Sequence, residues 1–390
     1  MKNMVRILII TLLIGITGLI AVAQNEFKPN IDFKGSRIAI GYLDSQNDGS
    51  YPDGSFQMPD AKLRFNWNTT PDVTVVTRMS LKNATFDSLD YFYLDYKNFF
   101  SQLAPKLKDS PFNPTLRIGR IKVDIGEETF ADNPVEGVVA SNSAGIVAGY
   151  DEGLQLFQNL HKDNLGVPVK WSLSFFNGNS GTGADNEGAK AMNFKLGVNP
   201  ISELYVSGSY YKTGELGVAD AEVTYAGLKA RPTNATQWTR TIQEIDLRYD
   251  FQPGKENRLN PGAPAFSDSK AFVRTAYGKF ADNGKDTVKP IVQVVDREGK
   301  YYFVEGCYNA TEKLYLAARQ SNIEFDKNTV FASLNSVNAN KYSRMSIGAG
   351  YRMSSNTHLK IEQATNTEKI PTGAVKAENN QYSLLITVKF

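Results

Sequence analysis

The chain has 390 residues, with 43 basic and 41 acidic side chains, one cysteine and two histidines. Its mean hydropathy of −0.34 is too polar for a protein that crosses a membrane with apolar helices. The nearly balanced charge predicts no general attraction to nucleic acid. Cys307 cannot form an internal disulfide, and His161 and His358 are too few for a histidine-based metal cluster. We therefore expect neither a metal nor a cofactor.

Residues 1–23 are predicted to be a secretory signal peptide. Lys2 and Arg6 precede an apolar run, and a small-residue triplet ends at Ala23, which is a suitable cleavage site. The alternative is a single spanning helix, for which the apolar run is short. Cleavage would leave residues 24–390 as one domain with 41 basic and 41 acidic side chains, because the leader carries two basic residues and no acid.

The rest of the chain consists of short runs in which apolar and polar side chains alternate. A period of two predicts β-strands with one apolar face and one polar face. Sixteen such strands are predicted, at residues 37–43, 61–68, 73–82, 89–96, 116–123, 153–158, 168–176, 192–198, 204–211, 242–251, 271–280, 301–308, 313–320, 341–353, 358–362 and 381–390. The last strand ends on Phe390, a terminal aromatic residue that, after an export signal, is typical of an outer-membrane barrel.

The connections between these strands are expected to alternate between long external loops and short periplasmic turns. Two predicted periplasmic connections, 97–114 and 252–269, are long, and residues 101–109 are predicted to form a short amphipathic helix. Residues 286–296 are strand-like and are interpreted as a hairpin extension above the membrane. Counting them as a spanning strand would give seventeen, whereas bacterial barrels have even numbers, so sixteen is preferred over fourteen or eighteen.

The predicted fold class is therefore all-β, a transmembrane antiparallel β-barrel of about sixteen strands in the outer membrane of a Gram-negative bacterium. A basic side chain on the lipid face near the midplane costs about 2–4 kcal/mol, so basic residues of the strands are expected to face the lumen. Gly119 is interpreted as a bulge that resets the register and turns the residues after it inward. The predicted pore-lining basic residues are Arg64, Arg78, Lys82, Arg120, Lys122, Arg344 and Arg352.

The third external loop, residues 124–150, is predicted to fold into the lumen. Its middle is small and moderately apolar, which suits a segment packed inside a barrel better than one in water. Its acidic side chains are Glu127, Glu128, Asp132 and Glu136. Acids facing a basic wall would create a transverse field that filters solutes by charge. The alternative is a surface loop whose acids are solvated or bind cations that bridge lipopolysaccharide.

Several short motifs occur in a family-specific order. They are YLDY at 93–96, LRIGRIK at 116–122 followed by Gly126 and Glu127, FFNGN at 175–179, YLAAR at 315–319 and the terminal Phe390. In this order they resemble the phosphate-selective porin O/P family over nearly all of the mature chain. The resemblance implies a trimeric 16-stranded barrel with an inward third loop and basic side chains that guide anions. Arg120 and Lys122 match the basic positions beside the family glycine.

The sequence thus predicts a diffusion channel for small hydrophilic solutes that prefers anions, with phosphate as the family's solute. Its partners would be outer-membrane lipid, lipopolysaccharide, small anionic or polar solutes and two further copies of the chain. The first alternative is a closed barrel that serves as an adhesin, a structural protein or a loop-mediated binding protein. An enzyme is not expected, because the glycine-rich stretch 178–182 ends in Thr182 and departs from the serine-hydrolase pattern.

Overall fold

The computed structural model describes residues 28–81, 88–107, 110–178, 189–218, 224–225, 235–253, 269–288, 293–294, 296–326, 333–334, 337–338, 341–369 and 377–390. The predicted signal peptide and the predicted pore residue Lys82 lie outside these ranges. So does most of the predicted long connection 252–269.

Sixteen long strands are present in the described part of the chain. They are β1 (Arg37–Ser45), β2 (Ser55–Asn68), β3 (Val73–Ser80), β4 (Ser88–Tyr96), β5 (Thr115–Lys122), β6 (Tyr150–Leu160), β7 (Val169–Phe176), β8 (Ala191–Ile201), β9 (Leu204–Lys212), β10 (Gln237–Phe251), β11 (Ala271–Asp286), β12 (Arg297–Asn309), β13 (Leu314–Phe325), β14 (Lys341–Arg352), β15 (Thr357–Lys369) and β16 (Gln381–Lys389). Each predicted strand overlaps one of them in the same order.

Each strand pairs antiparallel with its neighbours in the chain, and the first and last strands close the barrel. β1 and β16 pair from Arg37 opposite Lys389 to Ser45 opposite Gln381. The amide of Phe390 also donates to the carbonyl of Ser36 at 2.9 Å. Closure satisfies the edge strands, as a membrane-spanning sheet requires. The prediction of a 16-stranded antiparallel barrel is therefore confirmed.

The outer surface of the barrel is apolar because the strands alternate as predicted. In β10, Ile245, Leu247 and Tyr249 are exposed, whereas Glu244 and Asp246 are buried on the lumen side. Other strands expose Ile40, Phe194, Tyr277, Val304, Leu316, Ile347, Ile361 and Leu384 in the same way. A closed barrel with such an apolar belt is suited to hydrocarbon. This architecture locates the protein in the outer membrane of a Gram-negative bacterium.

The connections add small elements to the barrel. A short strand, Asn30–Asp32, pairs with the end of β2 and has no counterpart in the prediction. The predicted hairpin extension is present where Gln293–Val294 pairs with the end of β11. The long turn between β4 and β5 holds a helix at Phe99–Leu103 and a 3-10 turn at Pro105–Leu107. No helix in the described residues is long and apolar enough to span a membrane.

Gly119 does not shift the register of β5, so the prediction of a bulge at this residue is wrong. Pairing with β4 runs without interruption from Tyr96 opposite Leu116 to Phe92 opposite Arg120. Gly119 instead has a φ of +134°, and a Cβ atom there would lie 2.4 Å from the carbonyl oxygen of Phe92. Glycine is needed because the neighbouring backbone approaches closely and the φ angle is unfavourable for other residues.

The alternation predicts a strong dependence of stability on the outward face of β14. Replacing the exposed Ile347 by arginine should destabilise the barrel by about 2–4 kcal/mol, because a cation would face hydrocarbon. Ile347→Leu, which keeps the apolar surface, serves as the control. Reversible denaturant unfolding in phospholipid vesicles measures the difference. Equal stability of the two variants would contradict the assignment of this face to lipid.

Candidate functional site

The loop between β5 and β6 lies against the inward faces of the far strands. The amide of Ala144 donates to the hydroxyl of Ser321 in β13 at 2.9 Å, and Ser141 hydrogen-bonds Ser346 in β14 at 2.8 Å. A 3-10 helix, Glu128–Ala131, forms within the loop. We call residues 123–149 the inner loop, because these contacts hold it inside the barrel.

The first anchor of the inner loop is a buried lysine on β8. The ammonium of Lys195 lies 3.0 Å from Asp124 and 2.9 Å from Glu127. Tyr205 also donates to Glu127 at 2.9 Å. Burial alone would raise the pKa of Asp124, but Lys195 and Lys170 lower it to about 2. Both carboxylates therefore stay ionised at neutral pH and fix the start of the loop to the wall.

The second anchor is an arginine on β13. The guanidinium of Arg319 lies 3.1 Å from Glu128 and 3.4 Å from Glu305 on the neighbouring strand. The amide of Ser143 donates to the same Glu128 carboxylate at 2.9 Å. Glu127 and Glu128, two predicted constriction acids, are thus buried in contacts that position the loop.

The third anchor consists of two charged residues on β15, which we call the β15 clamp. Lys360 donates to the backbone carbonyls of Pro134 at 2.7 Å, Val135 at 3.1 Å and Gly137 at 2.7 Å. Two residues along the strand, Glu362 accepts hydrogen bonds from the amides of Ala140 and Ser141 and from the Ser141 hydroxyl. Apart from the Ser141 hydroxyl, the clamp contacts backbone groups, so most of its hydrogen bonds do not depend on which side chains the loop carries.

A cavity of about 630 Å³ remains between the inner loop and the wall formed by β1–β5. Among the described residues, seven basic and four acidic side chains line it. The basic ones are Lys34, Arg37, Arg64, Arg78, Arg117, Lys122 and Lys389, and the acidic ones are Asp32, Asp95, Asp132 and Glu136. The lining of the cavity is therefore positive on balance, although the mature chain is predicted to be neutral.

Arginines on neighbouring strands form the wall of this cavity. Arg64 of β2 lies directly opposite Arg78 of β3 in the ladder. Arg78 pairs with Asp90 at 2.9 Å and stacks on Tyr91 with its guanidinium carbon 4.5 Å from the ring centroid. Arg64 donates to the amide oxygen of Asn66 at 2.8 Å rather than to a carboxylate. The two guanidinium groups thus place two positive charges side by side.

Arg117 of β5 extends the wall toward the strand that follows. Its guanidinium lies 4.1 Å from the ring centroid of Tyr93 and 4.7 Å from that of Phe157. Two hydrogen bonds at 2.6 and 2.8 Å join it to Asp95. Stacking on rings and a bidentate pair fix the orientation of this side chain.

The inner loop faces this wall with two acids that already have basic partners. Asp132 lies 2.5 Å from Lys122, and Glu136 lies 3.3 Å from Arg37 and 2.9 Å from Lys389. Burial would raise the pKa of each carboxyl, but the neighbouring cations lower both below their usual values. The predicted constriction acids therefore divide into two that face the cavity and two that anchor the loop.

The predicted basic residues are distributed unevenly around the lumen. Arg64, Arg78 and Lys122 line the cavity. Arg344 donates to the carbonyl of Asn142 at 2.9 Å, so it contacts the back of the inner loop. Arg352 lies at the far end of β14, where it donates to the carbonyl of Glu312 in the turn before β13 at 2.9 Å.

Arg120 is not among the residues that line the cavity, although Lys122, two positions further along β5, does line it. Strict alternation does not run through this stretch, because Arg117 and Lys122, five positions apart, both line the cavity. Arg120 is in register with Phe92, which is exposed on the outer surface, and with Glu152. Its guanidinium pairs with Glu152 at 2.8 Å. The facing of the side chains thus changes between Arg117 and Lys122 without a shift of the pairing register.

Four basic residues of the cavity were not among the predicted site residues: Lys34, Arg37, Arg117 and Lys389. Arg37 and Arg117 lie inside predicted strands, at positions that alternate with apolar, outward-facing residues. The alternation alone therefore indicates that both side chains face the lumen. Lys34 precedes the first predicted strand. Lys389 is the penultimate residue, and nothing in its local sequence indicates that it reaches Glu136 of the inner loop.

The described residues contain no group of three or more histidine, cysteine, aspartate or glutamate side chains arranged to hold a metal ion. Cys307 is a buried free thiol on β12. His358 is buried in β15, and His161 lies in the connection after β6. The charged side chains of the site are therefore organised around the cavity and the inner loop.

No family model matches the chain, and no curated protein matches it significantly. Solved structures do match. The outer membrane channel DcaP of Acinetobacter baumannii has a TM-score of 0.61 at 13% identity, covering 93% of this chain and 97% of that one. The anion-selective porin from Comamonas acidovorans has a TM-score of 0.56 at 9% identity, covering 93% and 100%. OmpT of Vibrio cholerae in its trimer form has a TM-score of 0.55 at 12% identity, covering 93% and 100%.

These similarities show which fold the chain shares with proteins of known structure. Its barrel has the fold of the outer-membrane porins, with likeness over nearly the full length of each compared chain. At sequence identities of 9–13%, the similarity concerns the architecture of the barrel and not particular side chains.

The β15 clamp predicts that one lysine controls the mobility of the inner loop. Lys360→Met removes charge-assisted hydrogen bonds, each of which contributes about 1.5–3 kcal/mol. We expect a barrel that still folds but whose single-channel current is noisier and more variable. Lys300→Met is the matched control, because Lys300 forms only an exposed pair with Glu324 at 3.7 Å. Identical current noise in both variants would show that the clamp does not restrain the loop.

Proposed function

We propose that this protein is a passive diffusion channel for small hydrophilic solutes, with a preference for anions. The observation that carries the proposal is the cavity between the inner loop and β1–β5, where basic side chains outnumber acidic ones. No bond needs to be made or broken for solutes to move down a gradient, so we propose no catalytic role.

The preference for anions over cations follows from which charged side chains of the cavity already have partners of opposite charge. Asp132 and Glu136 on the inner loop each have basic partners within 3.3 Å. On the opposite wall, Arg64 faces another arginine across the ladder and donates to a neutral amide. Like charges directly opposite each other in a sheet repel. An anion beside this pair would screen the repulsion, whereas a cation would add to it.

Phosphate is the solute that we propose within this class. Guanidinium groups present donors in a planar fork that binds phosphate and carboxylate oxygens in pairs. Arg64 and Arg78 lie opposite each other on neighbouring strands, and Arg78 already pairs with Asp90 at 2.9 Å, so Arg64 is the main donor that we propose for one oxyanion. The resemblance to the phosphate-selective porin O/P family favours the same solute.

The remaining elements of the proposal concern the assembly and its route to the membrane. Residues 1–23 would direct export and be removed. The apolar belt would contact outer-membrane lipid, and the external loops would contact lipopolysaccharide. We also propose a homotrimer, on the family resemblance and because OmpT of Vibrio cholerae, which has a similar barrel, was solved in a trimer form.

A second candidate function is a closed barrel that binds a partner through its external loops. One observation favours it, since inward side chains on the far wall, such as Lys195, Arg240 and Glu305, are fully covered. In such a barrel the remaining cavity would not form a continuous path.

Planar-bilayer recording of the refolded mature chain separates the two candidates. The channel proposal predicts stepwise conductance, and a salt gradient should give a reversal potential that favours anions. A folded barrel that carries no current would contradict the channel and support the closed barrel. Steps in groups of three would support the trimer.

Removing one wall charge should reduce the anion preference. An ionic interaction at about 4 Å in water contributes about 1 kcal/mol, so Arg64→Gln should lower the anion-to-cation permeability ratio by about five-fold. Arg120→Gln is the control, because Arg120 does not line the cavity and its guanidinium pairs with Glu152 at 2.8 Å. Reversal potentials under a salt gradient measure both variants. Equal shifts would contradict the assignment of selectivity to the arginine wall.

Phosphate should compete with chloride for the same wall. Adding phosphate to the chloride bath should reduce the single-channel current, because a bound divalent oxyanion would occupy the cavity longer than chloride. Arg64→Gln should raise the phosphate concentration needed for half-block. If phosphate leaves the chloride current unchanged in the unmodified chain, the phosphate proposal fails while the anion preference can still stand.

A further inference from the structure

The turn between β4 and β5 is longer than most of the periplasmic connections. The connections at the same end of the barrel after β2, β8, β12 and β14 span only two to four residues. The β4–β5 turn, residues 97–114, instead contains the helix Phe99–Leu103 and the 3-10 turn Pro105–Leu107. Barrels of this class have short periplasmic turns, so the extra length needs a physical reason.

This turn packs against the outer surface of the barrel and not against its lumen. Phe99 forms a buried apolar cluster with Tyr96 and Leu116. The partly buried side chains that pack on this cluster include Leu94, Ile118, Leu154 and Leu156. These four alternate with Asp95, Arg117 and Gln155, which face the lumen. The turn therefore folds over the lowest part of the apolar belt.

The turn is also a fixed structure. The amide of Lys97 donates to the carbonyl of Asp72 at 2.8 Å, and the amide of Phe99 donates to that of Pro114 at 3.0 Å. Gln158 of β6 donates to the carbonyl of Pro111 at 2.6 Å. These bonds tie the start of the turn to the β2–β3 connection, join its two ends to each other, and tie its later part to β6.

Three large apolar side chains of this turn nevertheless remain exposed. Leu103 is 54% exposed, Leu107 is 39% exposed and Phe112 is 49% exposed. The exposed Lys106 lies between the two leucines. Apolar groups in a rigid turn that continues the lipid-facing belt are costly in water, and a flanking lysine suits the anionic surface of a phospholipid layer.

We propose that the β4–β5 turn is an interfacial anchor that inserts Leu103, Leu107 and Phe112 into the periplasmic leaflet of the outer membrane. Its partner is phospholipid. The lysine side chain extends toward the headgroups while the three apolar side chains reach the acyl boundary. The anchor fixes the depth of the barrel on the β4–β6 side, and it is independent of what passes through the lumen.

Site-directed spin labelling of the full mature chain in phospholipid vesicles tests this anchor. Cys307→Ala removes the one native thiol, and Leu103→Cys and Phe112→Cys then carry the nitroxide label separately. Leu316→Cys, on the exposed outer face of β13, provides the lipid reference. Asn356→Cys, in the exposed β14–β15 turn, provides the water reference.

The expected result is that labels at 103 and 112 collide readily with oxygen and poorly with a water-soluble nickel complex, as the label at 316 does. Nickel accessibility equal to that at 356 would overturn the proposal, because these side chains would then face the periplasm. Low accessibility to both reagents would also overturn it and indicate a protein contact, such as a second copy of the chain. Heat-resistant β-sheet signal in circular dichroism verifies that each labelled barrel is folded.

Discussion

The exclusion of charge from the lipid face determines the interior of this protein. Because hydrocarbon accepts only the apolar side of each strand, the ionisable side chains of the strands collect in the lumen. The interior then has to neutralise its own charges. Pairs such as Arg274 with Glu305 do so between neighbouring strands. The inner loop supplies carboxylates to two basic residues of the wall. Asp124 pairs with Lys195, and Glu128 pairs with Arg319.

The inner loop covers the charged side chains on one side of the lumen and leaves several on the other side bordering the cavity. On the far wall the inner loop covers the charged side chains so fully that Lys195 and Glu305 have no exposed surface. On the wall of β1–β5 the loop stops short, and the charges of Arg64 and Arg78 border open space. The cavity is positive because seven basic and four acidic side chains line it, while the chain as a whole is close to neutral.

The barrel could be predicted from sequence because its cause is local. Alternation with a period of two is visible within each strand, and all sixteen strands follow from it. The register shift predicted at Gly119 is absent, because a glycine can mark either a bulge or a close approach of the neighbouring backbone, and the sequence does not distinguish the two. The clamp by Lys360 could not be predicted, since its acceptors are carbonyls more than 220 positions away and any residue type provides them. Likewise, the separation of Glu127 and Glu128 from Asp132 and Glu136 depends on three-dimensional contacts.

Lys360 and Glu362 hold the inner loop through hydrogen bonds to its backbone, and this has an evolutionary consequence. The hydrogen bonds that the backbone of residues 134–141 makes with Lys360 and Glu362 do not depend on side-chain identity, because amides and carbonyls are common to all residues except for the amide missing in proline. The backbone position of this segment and the charge of its side chains can therefore change independently in evolution. A lineage can alter the electrostatic character of the passage by substitution in the loop while two residues on a distant strand preserve its shape.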